Sequence, residues 1–243
     1  NLLTDINKLK KIIIKKKPDF IIDFASNCNV DLSWKDTGKI TKINFFNKLD
    51  LIKDISELKF LSKYVYISTP EVFGSNNSYV NENSNQFNPS SPYATSKLAF
   101  ELFLKNYKKA FNFPVIIARF ANFYGEYQDS KRLIPKLISC TINKQKFILQ
   151  GKGDFLRSYI YIDDVCDGIE KIIKHGKHGD TYHFSTNQFF STKKVVKLVF
   201  KRYGLNTKNF IKQGNNRVSQ DKCYKLGCSY TKKKIELETT NFN

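Results

Sequence analysis

Tyr93 and Lys97 stand four residues apart in Pro89-Ser-Ser-Pro-Tyr-Ala-Thr-Ser-Lys97, and Ser68-Thr-Pro-Glu71 lies upstream of them. Residues four apart on a helix share a face, one turn above the other. An ammonium in that position stabilises a phenolate and draws a tyrosine's pKa from about 10 toward neutrality. Such a tyrosine can act as a base. The set therefore suits proton transfer at a hydroxyl, with Ser68, Thr69 and Glu71 adding two hydroxyls and a carboxylate.

Two elements must hold these groups. Ser91 suits an N-cap and Pro92 the first helical position, and Ala94, Leu98, Ala99, Leu102, Phe103 and Leu104 continue a helix to about Phe111. Tyr93 is thereby expected at an exposed, electropositive helix start. Lys63 to Thr69 reads as a buried strand ending in hydroxyls, with Pro70 stopping its pairing. Ligands of open α/β sheets bind at the carboxyl ends of strands.

The other elements follow the same alternation. Asp5 to Lys17 predicts a helix with Leu9, Ile12 and Ile13 inward, and Pro18-Asp19 separates it from a near-continuous apolar strand, Phe20 to Ala25. A helix feeding such a strand implies a parallel sheet. Asn47 to Leu61 predicts a helix and Ser75 to Ser90 a loop over the site. Pro114 to Arg119 predicts another buried strand, Arg132 to Ile142 a helix, and Phe147 to Gly151 a short strand with a turn. Ser158 to Ile162 predicts a strand, Asp163 a cap for a helix over 164–174, and Ser191-Thr192 the capped start of an amphipathic helix. On the Tyr93 helix, Leu98, Leu102 and Phe103 are expected against the sheet. Phe100, Leu104 and Tyr107 are then surplus, which calls for a second partner, and a homodimer is expected.

Composition limits the function classes. The chain has 243 residues, 41% of them hydrophobic, enough for one large domain or a domain with a smaller lobe. No apolar run approaches the ~18 residues of a membrane span, and no secretory signal is present, so no membrane partner and a cytoplasmic location are expected. The five cysteines are scattered and form no paired motif, and His175 and His178 lack further ligands nearby, so no metal is expected. The net charge of +19 would attract polyanions, yet only five of the 41 basic residues are arginine, and the lysine runs read as solvated surface. No specific nucleic-acid partner is expected. There is no methionine and residue 1 is asparagine, which reads as a fragment or processed piece.

Four ordered runs resemble the extended short-chain dehydrogenase/reductase family, and within it the NAD-dependent nucleotide-sugar epimerase/dehydratase group, especially the 4,6-dehydratases. They are Tyr66-Ile-Ser-Thr-Pro-Glu-Val-Phe-Gly74, Pro89 to Lys97, Ala118-Arg-Phe-Ala-Asn-Phe-Tyr-Gly125 and Arg157-Ser-Tyr-Ile-Tyr-Ile-Asp-Asp-Val165. The resemblance implies an α/β fold: a Rossmann-like, doubly wound parallel sheet lacking its N-terminal part, over residues 1–125. It implies a smaller, mainly substrate-binding lobe over 126–243, with 157–175 returning to the sheet. Thr69, Glu71, Tyr93 and Lys97 would be catalytic. Ala25, Ser26, Ser68, Tyr93 and Lys97 would contact NAD, and Asn122, Arg157 and Arg217 a nucleotide-diphosphate sugar. Asn122 alone also reads as a turn-satisfying side chain, and Arg157 as a surface ion-pair partner.

By the same resemblance, Tyr93 takes the C4 hydroxyl proton as C4 is oxidised, Thr69 bonds the same oxygen, and Lys97 holds the cofactor ribose. The C4 ketone acidifies C5–H, which Glu71 removes before water leaves from C6. The chain departs from the family's pattern in four places. Pro70 replaces the usual aspartic acid, Ser26 replaces an alanine, Leu2 stands where an adenine-contacting aspartate is usual, and no glycine-rich phosphate loop is present. Pro70 leaves Glu71 as the single carboxylate for a syn elimination. It also keeps open an epimerase, a decarboxylase of uronic sugars, or a catalytically silent binding remnant.

Overall fold

The computed structural model describes residues 4–216, 218 and 221–242. In chain order the elements are α1 (Ile6–Lys16), β1 (Phe20–Asp23), α2 (Val30–Lys35), α3 (Thr37–Thr41), a π-helical turn (Lys42–Phe46), α4 (Asn47–Ile55), β2 (Lys63–Ser68), a 3₁₀ turn (Pro70–Phe73), α5 (Pro92–Phe111) and β3 (Val115–Phe120). The chain continues through β4 (Asn122–Tyr124), α6 (Leu133–Ile142), β5 (Phe147–Gln150), β6 (Leu156–Tyr161), α7 (Ile162–His175), β7 (Thr181–Phe184), β8 (Phe189–Ser191), α8 (Thr192–Arg202), α9 (Thr207–Phe210), β9 (Ile211–Gly214) and α10 (Ser229–Ile235).

The central sheet is parallel, in the order β1-β2-β3-β7, as the apolar strands and intervening helices require. Alternation along each strand feeds two cores. Tyr64, Tyr66, Val115 and Ile117 face one side, where Ile13, Leu51, Ile52, Ile55, Phe100 and Leu104 of α1, α4 and α5 cover them. Val65, Ile67, Ile116 and Ala118 face the other, against Val165, Ile169 and Ile172 of α7. Helices on both faces make the sheet doubly wound. A second body of structure gathers β5, β9, α6 and α8 around Leu137, Phe147, Leu149, Val195, Val196 and Phe200.

Several expectations need correction. The helix expected over Asn47 to Leu61 stops at Ile55, and α2, α3 and the π-helical turn precede it. Helix α7 begins at Ile162 with Tyr161 as N-cap, so Asp163 lies in its first turn instead of capping it. On α5 the inward face is also different: Phe100 and Leu104 are fully buried, whereas Leu102 is 43% exposed. The reason is a polar stripe. Tyr93, Lys97 and Glu101 sit at successive turns of α5 and are all buried, so the helix turns that stripe and its neighbours to the sheet.

Among the described residues no helix is long and apolar enough to cross a membrane.

Candidate active site

Strand β2 ends at Ser68, and the chain turns at once into the 3₁₀ turn. Thr69 is extended, and its Oγ1 accepts from the Glu71 amide at 3.3 Å. Pro70 occupies the first position of the turn, where its missing N–H costs nothing. Gly74 closes the turn at φ +61°, and a Cβ there would lie 2.2 Å from the Asn88 carbonyl oxygen. Only glycine fits both the backbone angle and that approach. The returning loop packs on the turn through Asn88 N–H to Val72 O at 3.0 Å.

Opposite stands the start of α5. Ser91 is the N-cap, accepting from Ala94 N at 3.2 Å, and Pro92 follows at the first helical position, both as expected. Tyr93 is not exposed, however: 7% of its surface is accessible. Burial pushes its phenol pKa far upward, the Glu71 charge raises it further, and a hydrogen bond to Thr69 opposes the rise. The expected lowering by Lys97 is absent, because Lys97 turns away. Its Nζ donates to the Ile67 carbonyl at 2.6 Å and lies 4.2 Å from the centre of the Tyr66 ring. Burial foremost, then the Lys48 charge, depresses the Lys97 pKa to about 7.

Thr69, Glu71 and Tyr93 therefore form one group. Burial pushes the Glu71 carboxyl up to about 7, Asp221 adds to the rise, and Arg157 and Arg132 oppose it. A carboxyl at that value exchanges a proton near neutrality. Ser68 Oγ is buried beside them with no hydrogen-bond partner among the described residues.

The loop after β1 closes the floor. Ala25 is exposed and Ser26 partly buried, and the Ala25 amide donates to Asp23 Oδ1 at 3.0 Å. Asn44, fully buried in the π-helical turn, holds this loop to α5. Its Oδ1 accepts from Asn27 N at 2.8 Å, and its Nδ2 donates to Asn27 O at 3.0 Å and to Ser96 Oγ at 3.2 Å. Ser96 Oγ in turn donates to Tyr93 O at 2.7 Å. Asn44 escaped the sequence reading because a π turn leaves no mark on a 3.6-residue hydrophobic pattern.

Arg157 of β6 lies on the open side. It donates to Leu156 O at 2.7 Å and Asp221 O at 2.9 Å, and its guanidinium stacks 4.3 Å from the Tyr224 ring centre. Asp221, 7% exposed, accepts from Ser75 Oγ at 3.1 Å and Tyr224 OH at 2.8 Å, and also from Ser90 Oγ. Arg132 donates to Cys28 Sγ at 2.6 Å. Sequence reasoning missed Arg132, Asp221, Tyr224 and Cys28 as site residues. None belongs to a periodic segment aimed at the site; long-range folding brings them in. Asn122 is exposed on β4, and its side chain makes no hydrogen bond to a described residue. Arg217 and Leu2 lie outside the described residues.

A model of the GDP-mannose 4,6 dehydratase family matches residues 2–238. The chain belongs to this family. It is 35% identical over 208 residues to a dTDP-D-glucose 4,6-dehydratase of Dictyostelium discoideum, covering 81% of this chain and 48% of that protein. With the human dTDP-D-glucose 4,6-dehydratase it shares 30% over 229 residues, 92% of this chain and 65% of that protein. The chain thus spans about half to two thirds of these relatives' length. Among solved structures, the dTDP-glucose 4,6-dehydratase of Streptomyces venezuelae with NAD and TYD bound superposes at a TM-score of 0.91 and 25% identity, over 98% of this chain and 73% of that one. A Bacillus cereus UDP-glucuronic acid 4-epimerase superposes at 0.90 and 23% identity, over 100% of this chain and 76% of that one, a likeness of fold. The expected family and its doubly wound sheet are thereby borne out.

Proposed function

We propose that this chain carries the reacting centre of an NAD-dependent nucleotide-sugar 4,6-dehydratase, a lyase. The observation that carries the reading is the Tyr93–Thr69 hydroxyl pair set against a single carboxyl, Glu71, whose pKa lies at about 7.

The nicotinamide half of NAD fits the end of β2. Ser68 Oγ is buried and lacks a partner among the described residues, and Lys97 carries two N–H groups beyond the one given to Ile67. Ser68, Lys97, Tyr93 and the Ala25-Ser26 loop would hold it; a glycine-rich phosphate cradle is not among the residues of this chain. When bound, NAD would accept the hydride from the sugar's C4 and, after water has left, return it to C6 as a proton adds at C5.

Thr69 lies close enough to Tyr93 to lower its pKa, so a sugar hydroxyl placed on Tyr93 also meets Thr69. Tyr93 takes the proton from that hydroxyl. Its high pKa in the bare site means that Lys97 must turn from Ile67 O, or another positive group must approach, before the phenolate forms. Glu71 then removes the proton next to the C4 ketone. Pro70 leaves no second acid in the turn, and Glu71 returns the proton to the departing C6 hydroxyl. One carboxyl at about 7 serves both half-steps, since neither its charged nor its neutral form is rare at neutral pH. Arg157 and Arg132 flank Glu71 and would take the diphosphate of the sugar nucleotide, with Asn122 and Arg217 as further contacts.

Pro70 favours a second reading, an epimerase that needs Tyr93, Thr69 and Lys97 but no acid on this turn. In either case we place a homodimer contact on the outward faces of α2, the π-helical turn and α5, where Trp34, Phe46 and Leu102 respectively are 46%, 57% and 43% exposed. Five free cysteines fit a reducing, cytoplasmic compartment.

The test is mass spectrometry of nucleotide sugars incubated with NAD and the full-length protein. Loss of water identifies the dehydratase; an isomer of unchanged mass identifies the epimerase. With Glu71→Gln, water loss should fall by about 10²–10⁴ while C4 oxidation persists. Unchanged water loss would remove Glu71 from the mechanism.

A further inference from the structure

Beneath the site lies a charge pair that the reaction does not use. Lys48 of α4 is 1% exposed and bonds Asp23 Oδ2 at 2.6 Å. Asp23 has two further partners: Oδ2 also accepts from Tyr64 OH at 2.7 Å, and Oδ1 from the Ala25 amide at 3.0 Å. A buried ion pair contributes little net stability against a well-packed apolar pair of the same volume. Stability is therefore a poor reason for burying a lysine here.

The surroundings supply a better one. Lys48 and Lys97 both lie against the Tyr66 ring, at 5.1 and 4.2 Å from its centre. The charged and titratable groups around Lys97 are Asp23 on β1, Cys28 on the following loop, Lys48 on α4, Tyr64 and Tyr66 on β2, and Tyr93 and Glu101 on its own helix. Glu101 is committed to Arg119. Asp23 is then the carboxylate whose charge only Lys48 neutralises among the described residues, and a buried carboxylate deprived of its cation draws any ammonium within reach. Lys97 donates to Ile67 O instead.

We propose that Lys48 is a positioning residue: by neutralising Asp23 it keeps Lys97 out of an ion pair with that carboxylate and leaves the Lys97 ammonium free for the cofactor ribose and Tyr93. Asp23 meanwhile holds the Ala25 amide, so the same pair fixes the loop beside the cofactor. The proposal rests on the dehydratase reading only for the use to which Lys97 is put.

The experiment follows Lys97 directly, by carbon NMR of the full-length protein labelled at lysine Cε, with the resonance assigned through its loss in Lys97→Arg. In Lys48→Met, Lys97 falls to Asp23; its titration midpoint should rise by about two pH units or more, and NAD affinity should drop about tenfold. Turnover should fall at least as far with the sugar's KM unchanged. In Asp23→Asn/Lys48→Met no carboxylate competes, and the midpoint, NAD affinity and turnover should return to within about threefold of wild type. An unmoved Lys97 resonance in the single variant, or no recovery in the double, overturns the proposal. Should the single variant not fold, the uncharged double decides alone: a loss of NAD affinity of about tenfold or more there overturns it. Failure of wild type to convert any nucleotide sugar would instead remove the dehydratase reading, while the NMR comparison still judges Lys48.

Discussion

Lys97 and Glu101 occupy successive turns on the buried stripe of α5, yet their surroundings differ in kind. Glu101 faces Arg119, which donates to it through Nε at 3.1 Å and also through Nη2. Arg119 Nη1 meets His183 Nε2 at 3.1 Å, and His183 Nδ1 meets Gly227 O at 3.0 Å. The guanidinium also lies under the rings of Phe73 and Phe87, at 4.7 and 5.4 Å. Each charge there is matched and each polar atom occupied. Around Lys97 two ammoniums face one carboxylate, and Ser68 Oγ and Tyr66 OH have no hydrogen-bond partner among the described residues. A closed network of this sort fixes how β3, α5 and the segment near Gly227 meet; an open one keeps donors in reserve for something that is not protein.

The closed side should be the harder to disturb without loss of structure. Glu101→Gln leaves the Arg119 cation buried with half its partners, and we expect it to destabilise the fold by about 3–5 kcal/mol in urea unfolding. A variant within ~1 kcal/mol of wild type would mean that the Arg119 network does not organise this junction. The open side should show the converse. Tyr93→Phe removes one hydroxyl beside Thr69; stability should change by about 1 kcal/mol or less, while turnover of the full-length protein falls about 10²–10⁴-fold. A large stability loss with modest loss of turnover would place Tyr93 among the structural residues.

The same contrast explains what could be read from sequence. The four-residue spacing of Tyr93 and Lys97 on one helix, the Ser91 cap with Pro92 after it, and the end of β2 before Pro70 depend on residues within a few positions of each other, and the structure has them as expected. The parallel sheet was legible because β2 and β3 are continuous apolar runs buried on both faces. What failed was whatever depends on surroundings. One neighbour, Lys97, predicts a depressed Tyr93 pKa, whereas burial raises it and Lys97 points to Ile67 O. Apolar spacing alone puts Leu102 on the inward face of α5, yet the polar stripe sets the rotation and exposes it. Asp221 and Tyr224 reach Glu71 from more than a hundred residues away, along a segment with no periodicity to announce it.

The smallest expected effect separates the two networks by pH. Arg119 cannot give up a proton, so His183 Nε2 must be the acceptor in that contact and Nδ1 carries the hydrogen donated to Gly227 O. Burial first, then the Arg119 charge, depresses the His183 pKa from 6.5 to about 3. Below pH 6.5 the unfolded chain binds a proton here that the folded chain refuses, so this residue's contribution to stability is lost progressively as pH falls toward 3. Glu71 acts with the opposite sign. Its folded value of about 7 exceeds its ordinary 4.5, so the folded chain holds the extra proton and stability declines as pH rises through that window. The two slopes partly cancel in wild type, and the wild-type curve alone is uninformative. Subtracting the urea-unfolding curve of His183→Asn isolates the histidine: the variant should start about 1 kcal/mol below wild type at neutral pH and close or reverse that gap by pH ~4.5, where the histidine has withdrawn roughly 2–3 kcal/mol. A gap constant from pH ~7 to ~4.5 would mean that His183 takes its proton in the folded state as readily as in the unfolded, and that the Arg119 network is not closed at that end.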